Sequence, residues 1–146
     1  MNYDDVEILF VEDSMDDAAL TMRAFKKSGF TNKILHLKDG VEALDFMYCR
    51  GIYAERNPKP HPRIILLDLK MPKVSGMQVL EKLKGDPDLK TIPIIILTSS
   101  NEDPDIAKCY ALGANSYIVK PVDSNNFSSA IKEMGMYWMI LSKPSI

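Results

Sequence analysis

The sequence contains little cysteine and little tryptophan, with 2 Cys and 1 Trp among its 146 residues. Cys49 and Cys109 are too few and too far apart for a thiolate metal site or for the disulfide framework of a small secreted protein. We therefore interpret both cysteines as reduced packing residues, and we expect the protein to be cytoplasmic.

Long apolar runs and an excess of basic charge are also missing. No uninterrupted apolar stretch is long enough to span a bilayer, and the first residues, MNYDD, are too acidic for a signal peptide. The formal net charge is −2, and no basic run or arm is present. A protein that binds nucleic acid normally carries a basic surface. The sequence therefore predicts neither a membrane nor a nucleic-acid partner.

The composition that remains is typical of a globular domain. Hydrophobic residues make up 46% of the chain and charged residues 26%. We expect one domain over residues 1–146, with no separate output domain. Short apolar segments alternate with amphipathic ones along this length. The predicted strands are 6–11, 33–37, 64–68, 93–97 and 116–119.

Helical patterns follow the five predicted strands. They cover 16–27, 41–49, a segment around 77–83, a segment between Asp103-Pro104 and Gly113, and about 124–141. In the last of these, Phe127, Ala130, Ile131, Met134, Trp138 and Leu141 form one apolar stripe. Alternating strands and helices predict an α/β fold: a doubly wound, five-stranded parallel sheet with helices on both faces and strand order 2-1-3-4-5.

Polar side chains occupy the end of four predicted strands. Asp68 ends the apolar run 64–67, and Glu12-Asp13, Thr98-Ser99-Ser100 and Lys120-Pro121 follow three other strands. The carboxyl ends of parallel strands meet at one edge of the sheet. We therefore expect three carboxylates, a hydroxyl and an ammonium to converge there.

Three carboxylates in one crevice repel one another unless a cation joins them. Mg²⁺ is the expected cation, because it favours oxygen ligands from a few carboxylates, waters and a phosphate. Phosphoryl transfer to a carboxylate needs an acceptor oxygen, a metal and a further cation. In this interpretation Asp68 accepts the phosphoryl group, Glu12 and Asp13 help to hold Mg²⁺, Lys120 supplies the second cation, and Thr98 donates its hydroxyl.

Each of these residues also has a purely structural interpretation. Asp68 can cap a turn, and Glu12-Asp13 can simply begin a helix whose dipole favours acidic residues. Thr98 can be an ordinary β-branched strand residue, and Lys120 can be a surface charge before a turn. All four structural interpretations would have to hold at four corresponding strand ends, and this coincidence favours the functional one.

The chain resembles the receiver domain of two-component response regulators, which has a flavodoxin-like fold. The segments that carry the resemblance are Val11-Glu12-Asp13-Ser14, Leu67-Asp68-Leu69-Lys70-Met71-Pro72, Ser75-Gly76, Leu97-Thr98-Ser99-Ser100 and Tyr117-Ile118-Val119-Lys120-Pro121. They cover nearly the whole chain, in order.

The resemblance implies a role for each matching residue. Asp68 would accept phosphate from the phosphohistidine of a histidine kinase, and Glu12, Asp13, Asp68 and the main-chain carbonyl of Lys70 would hold Mg²⁺. Thr98 and Tyr117 would form a switch pair that moves on phosphorylation. Lys120, Thr98 and Ser99 would bind the phosphoryl group, and the peptide bond before Pro121 would be cis.

Two features depart from the smallest members of that family. The first acidic position is Glu12 rather than Asp, for which we expect a water-mediated role. The segment 50–62 is a long loop with prolines at 58, 60 and 62. This loop, the segment 86–93 and the pair Tyr137-Trp138 make the chain similar to small response regulators that partner bacterial phytochrome-type kinases.

The expected output is protein–protein contact. The resemblance implies a signalling face formed by the fourth helix, the fifth strand and the fifth helix. Met136, Tyr137, Met139 and Ile140 either complete the last helix or form an apolar surface for a homodimer or a partner. A downstream protein or a phosphotransfer protein would read the signal.

Two other functions fit the same topology. A phosphatase with an Asp nucleophile would need a general acid two residues after Asp68, where this chain has Lys70. A flavodoxin-like electron carrier would bind a flavin phosphate after the first strand, where Glu12-Asp13 would repel it. Fold alone does not choose among the three functions.

Overall fold

The sheet and its helices follow one another as the sequence predicts. The computed structural model describes residues 3–29 and 31–135. Its strands are β1 (Ile8–Val11), β2 (Ile34–Leu37), β3 (Ile64–Asp68), β4 (Ile94–Thr98) and β5 (Ser116–Val119). Its helices are α1 (Met15–Lys27), α2 (Gly40–Met47), α3 (Gly76–Lys84), α4 (Asp105–Leu112) and α5 (Ser124–Glu133).

All four strand pairings in the described residues are parallel, and the order is β2-β1-β3-β4-β5. The predicted fold class is therefore confirmed. β1 and β3 are neighbours, with Val11 opposite Leu67 in the register. This register places the residues after β1 beside the end of β3, where the sequence predicts the site.

Alternate residues of each strand face opposite layers of helices. On one side, Leu9, Ile65 and Ile96 pack against side chains of α2, α3 and α4. On the other side, Ile8, Leu66 and Leu97 pack against α1 and α5. Both faces of the central strands are buried, which explains their continuous apolar sequence.

The apolar residues of the first two helices are not all buried. Leu20 of α1 and Val41 of α2 are exposed, whereas Ala18 and Phe25 of α1 and Phe46 of α2 are buried. Apolar residues lie at several positions around the axis of each helix, so spacing alone does not select the buried ones.

The last helix is shorter than predicted. α5 ends at Glu133, short of residue 141, and Gly135 has a φ of 73°. A glycine in the left-handed region is a common end to a helix. The apolar stripe continues past Gly135 in the sequence, so the stripe alone predicts a longer helix. Met136, Tyr137, Trp138, Met139, Ile140 and Leu141 lie outside the described residues.

The proline-rich segment 50–62 packs against α2. It begins with a 3-10 turn at Gly51–Tyr53, and Tyr53 is buried. The guanidinium of Arg56 lies 4.1 Å from the centre of the Phe46 ring, and its Nη1 donates to the Phe46 carbonyl at 3.1 Å. These contacts join the loop to α2.

Within the described ranges, no helix combines the length and the apolar character that crossing a membrane would require.

Candidate functional site

A cavity of about 220 Å³ opens where the carboxyl ends of β1, β3, β4 and β5 meet. The side chains at these strand ends line it together with neighbouring loop residues. They are Glu12, Asp13, Ser14, Asp68, Leu69, Lys70, Leu97, Thr98, Ser99, Asp103 and Lys120. The topology therefore brings together the polar strand ends that the sequence singles out.

Asp68 lies at the floor of this cavity and is only 4% exposed. Burial raises its pKa to about 8, and the neighbouring carboxylates Glu12 and Asp13 add to the rise. Lys120 opposes the rise, because its Nζ lies 3.3 Å from Asp68 Oδ1. A carboxylate that resists ionisation in the free protein gains from a bound cation.

Lys120 is surrounded by carboxylates. Its Nζ lies 3.0 Å from Glu12 Oε1 and 3.2 Å from Asp17 Oδ2, in addition to the contact with Asp68. Burial alone would lower the pKa of Lys120, but the hydrogen bond to Glu12 and the charge of Asp68 outweigh burial and raise it. The ammonium therefore stays charged beside Asp68. The peptide bond that joins Lys120 to Pro121 is cis.

Glu12 and Asp13, the acidic pair after β1, differ in burial. Glu12 is 1% exposed, and its two oxygens accept from Lys120 Nζ and from the Ser14 backbone N–H, the latter at 3.2 Å. Asp13 is exposed at the mouth of the cavity. Ser14 caps α1 by accepting from the Asp17 N–H, which fixes the turn that carries the pair.

The donor set fits a hard divalent cation. Glu12, Asp13 and Asp68 each offer a carboxylate oxygen, and these oxygens lie within 4.8 Å of one another. Oxygen donors at this spacing suit Mg²⁺, which keeps several waters and a few protein ligands. Lys70, whose carbonyl is a predicted ligand, lines the same cavity two residues after Asp68.

Gly76 allows α3 to begin directly beside the site. A β-carbon at this position would overlap the Asp68 carbonyl oxygen and would lie 2.8 Å from Leu69 Cα. The Gly76 N–H donates to the Leu69 carbonyl at 3.0 Å. Because only glycine fits this approach, the chain after Asp68 is pinned against the helix start.

The predicted switch residues lie on β4 and β5. Thr98 is 2% exposed, and its hydroxyl donates to the Ser100 carbonyl at 3.1 Å. Tyr117 is half-buried on the side of α2, α3 and α4, with its ring edge-on to Tyr110 at 6.3 Å. Ser99 is exposed at the rim of the cavity.

Two acidic residues at the site are missing from the predicted set. Asp17 contacts Lys120, and Asp103 lines the cavity with its side chain only 6% exposed. Asp17 lies in the first turn of α1, four residues after Asp13, and this short separation indicates a side chain near the acidic pair. The pattern Asp103-Pro104 predicts a helix start capped by Asp103, but Asp103 lies one residue before the cap position, and its Oδ1 accepts from the Asp105 N–H at 2.9 Å. Pro104, however, precedes α4 rather than lying in its first turn.

Residues 8–132 match the model of the response regulator receiver domain. The chain therefore belongs to the response regulator receiver domain family, whose members act in two-component signalling.

Particular relatives share most of its length. It is 39% identical over 132 residues to the probable methanogenesis regulatory protein FilR2 of Methanothrix harundinacea, covering 90% of this chain and 83% of that one. It is 35% identical over 132 residues to response regulator Rcp1 of Synechocystis, covering 90% and 88%.

Solved structures extend the similarity. The bacteriophytochrome response regulator AtBRR aligns with a TM-score of 0.84 at 43% identity, covering 94% of this chain and 97% of that one. The Mn(2+)-bound form of Rcp1 aligns with a TM-score of 0.73 at 33% identity, covering 95% and 98%.

Proposed function

We propose that this chain is a stand-alone response regulator that accepts a phosphoryl group on Asp68 from a histidine kinase in a Mg²⁺-dependent reaction. The observation that carries the proposal is the set of groups around Asp68: the ammonium of Lys120 lies at 3.3 Å, and the carboxylates of Glu12 and Asp13 lie close enough to share a cation with it. A buried acceptor beside both an ammonium and a metal-binding pair is what phosphoryl transfer needs.

The proposed transfer uses the chain's own residues for position and charge. An oxygen of ionised Asp68 forms the new O–P bond while the P–N bond to the donor histidine breaks, and the leaving imidazole keeps that electron pair. Lys120 neutralises charge on the phosphoryl oxygens, and Thr98 and Ser99 line the side where those oxygens would lie. Mg²⁺ held by Glu12, Asp13, Asp68 and the Lys70 carbonyl would offset the remaining charge.

The partner that we propose is a phytochrome-type histidine kinase in the cytoplasm. The structural similarity to AtBRR, described as a bacteriophytochrome response regulator, supports this choice, and so does the sequence similarity to Rcp1. Cys49 and Cys109 are both free thiols, which is consistent with a reducing compartment.

The proposed output is a conformational change at the face formed by α4, β5 and α5. Thr98 ends β4, and Tyr117 lies on β5 against Tyr110 of α4, so a shift of Thr98 toward a phosphoryl group would alter the packing behind this face. A downstream protein, a phosphotransfer protein or a second copy of the chain would bind there.

Labelling with a small phosphodonor tests the acceptor. We expect the full-length protein to take up one phosphoryl group from phosphoramidate in the presence of Mg²⁺, and we expect Asp68→Asn to take up none. Asp16→Asn is the matched control, because Asp16 is exposed on the first turn of α1. Labelling of Asp68→Asn at the wild-type level would refute the proposal.

The metal and the partner need separate measurements. Excess chelator should abolish labelling, and undiminished labelling would argue against Glu12 and Asp13 as metal ligands. Phosphotransfer from purified phytochrome-type kinases, compared with kinases of other sensor classes, tests the partner directly. Faster transfer from the other classes would contradict the phytochrome assignment and leave the acceptor assignment intact.

A further inference from the structure

The two carboxylate oxygens of Asp103 contact different groups. Oδ1 accepts from the Asp105 N–H at 2.9 Å and so helps to begin α4. Oδ2 points toward the cavity, where it lies 3.4 Å from the Thr98 hydroxyl and 3.5 Å from Lys70 Nζ. A residue that served only as a helix cap would not need the second set of contacts.

The Thr98 hydroxyl is hydrogen-bonded to Ser100 and to Asp103. It accepts from the Ser100 N–H at 3.3 Å, and its single proton is shared between the Ser100 carbonyl at 3.1 Å and Asp103 Oδ2. A hydroxyl has only one proton to donate. Donation to a phosphoryl oxygen on Asp68 would therefore require Thr98 to give up its bond to Asp103 and to Ser100.

We propose that Asp103 is a positioning residue that competes with the phosphoryl group for the Thr98 hydroxyl and so sets the balance between the resting and the phosphorylated conformation. The inference rests on the proposed phosphorylation of Asp68. It assigns to Asp103 a restraint on the switch residue in addition to its bond with the Asp105 N–H.

The two acceptors of the Thr98 proton differ in chemistry. Oδ2 of Asp103 is a carboxylate oxygen, whereas the acceptor on Ser100 is a main-chain carbonyl. An ionised carboxylate accepts a hydrogen bond more strongly than a neutral carbonyl does. The side chain is also 6% exposed, so water competes little for Oδ2.

Asp103→Asn tests the inference with the least change in shape. Its amide oxygen can still accept from the Asp105 N–H, as asparagine commonly does two residues along the chain, so the start of α4 is preserved. The amide N–H₂ then faces Thr98 and cannot accept its proton. We expect the full-length variant to bind beryllofluoride, a mimic of the phosphoryl group, about fivefold more tightly in Mg²⁺ by calorimetry.

A cycle with Thr98→Ala separates this restraint from simple electrostatics. If Asp103 acts through Thr98, Asp103→Asn will have no effect on beryllofluoride affinity in the Thr98→Ala background. Loss of a negative charge near an anion would tighten binding equally in both backgrounds, and that result would overturn the inference. Unchanged affinity of Asp103→Asn in the wild-type background would overturn it as well.

Glu102→Gln is the matched control, since it removes one negative charge from the exposed neighbour of Asp103. It should leave beryllofluoride affinity at the wild-type value, and an equal gain from this variant would also overturn the inference. Failure of the proposed function is distinguishable, because the wild-type protein would then show no Asp68-dependent binding of beryllofluoride at all.

Discussion

Two lysines at opposite edges of the sheet show how the same residue type serves two purposes. At the edge where β4 and β5 begin, Lys84 Nζ donates to the carbonyls of Lys90 and Ile92 at 2.9 Å and to Asn115 Oδ1 at 3.1 Å. At the edge where the strands end, Lys120 Nζ contacts Glu12, Asp17 and Asp68. Lys84 has neutral acceptors, and Lys120 has carboxylates.

This difference in acceptors explains why the edge at Lys120, and not the edge at Lys84, favours a further cation. The ammonium of Lys84 has three acceptors, as many as it has donors, and Asn115 Oδ1 also accepts from the Ile94 N–H. Each donor of the Lys84 ammonium therefore has an acceptor in the fold, although burial lowers the pKa of Lys84. The carboxylates around Lys120 outnumber the ammonium, and burial together with the neighbouring carboxylates raises the pKa of Asp68. A further cation would therefore stabilise the edge at Lys120, whereas the acceptors around Lys84 are neutral and call for no further cation.

The largest effect is expected from Lys120→Met, which removes the only ammonium that contacts Asp68 within the described residues. Loss of charge stabilisation on the phosphoryl oxygens should slow labelling by phosphoramidate about 100-fold. The buried carboxylates also lose their partner, so the free energy of unfolding should fall by about 3 kcal/mol in chelator. Labelling kinetics and urea unfolding measure the two effects.

Added Mg²⁺ should recover part of the stability of Lys120→Met, because the cation neutralises the carboxylates that the lysine leaves behind. Lys84→Met is the control for a lost buried lysine, and its labelling rate should match that of the wild type. Equal losses of labelling in both variants would mean that the two edges do not differ in function.

Mg²⁺ itself should stabilise the wild-type protein. At a concentration 100 times its dissociation constant, binding to the folded state alone adds about 2.7 kcal/mol to the free energy of unfolding. Thermal unfolding with increasing Mg²⁺ measures this gain as a rise in Tm. Asp13→Asn should lose most of the gain, because it removes one oxygen ligand, whereas Asp16→Asn should keep it. A gain that survives in Asp13→Asn would place the metal elsewhere.

Without metal, the stability of the wild type should depend on pH through Asp68. Its pKa rises from 3.8 to about 8 on folding, so the folded protein keeps a proton that the unfolded chain releases. The stabilisation is fully present below the unfolded value and is lost as the pH rises through the folded value. Relative to Asp68→Asn, the wild type should lose about 2.6 kcal/mol between about pH 5 and about pH 7.

Saturating Mg²⁺ should remove this pH dependence, because the bound metal keeps Asp68 ionised in the folded protein at both ends of the range. Urea unfolding of the wild type and of Asp68→Asn is measured across this pH range, with and without Mg²⁺. This gives four curves of the free energy of unfolding against pH. A difference between wild type and Asp68→Asn that does not change with pH would mean that Asp68 ionises normally in the fold.

The sequence predicted the strand order and the convergence at the site because both depend on simple periodic features. Buried parallel strands have continuous apolar sequence, and polar residues mark where Asp68, Thr98 and Lys120 must meet. Asp17 and Asp103 could not be assigned in the same way. Their roles depend on the direction of a side chain from a helix start, which strand periodicity does not encode.

The buried faces of the first two helices are also hard to assign from the sequence. Met15–Lys27 and Gly40–Met47 each contain apolar residues at several positions around the axis, so spacing alone does not select the buried ones. Leu20 is 51% exposed, whereas the smaller Ala18 is buried. Contact with the sheet, which only the tertiary structure defines, decides between them.

The smallest effect is expected from Lys84→Met at the structural edge. The substitution keeps most of the aliphatic stem but leaves the Lys90 and Ile92 carbonyls without their donor. Lys90 is exposed and Ile92 is buried, so water replaces the donor at one carbonyl more readily than at the other. The free energy of unfolding should therefore fall by about 1 kcal/mol, measured by urea unfolding. Beryllofluoride affinity should stay at the wild-type value, because the lysine lies at the other end of β4. A weaker affinity would show that the two edges are coupled through that strand.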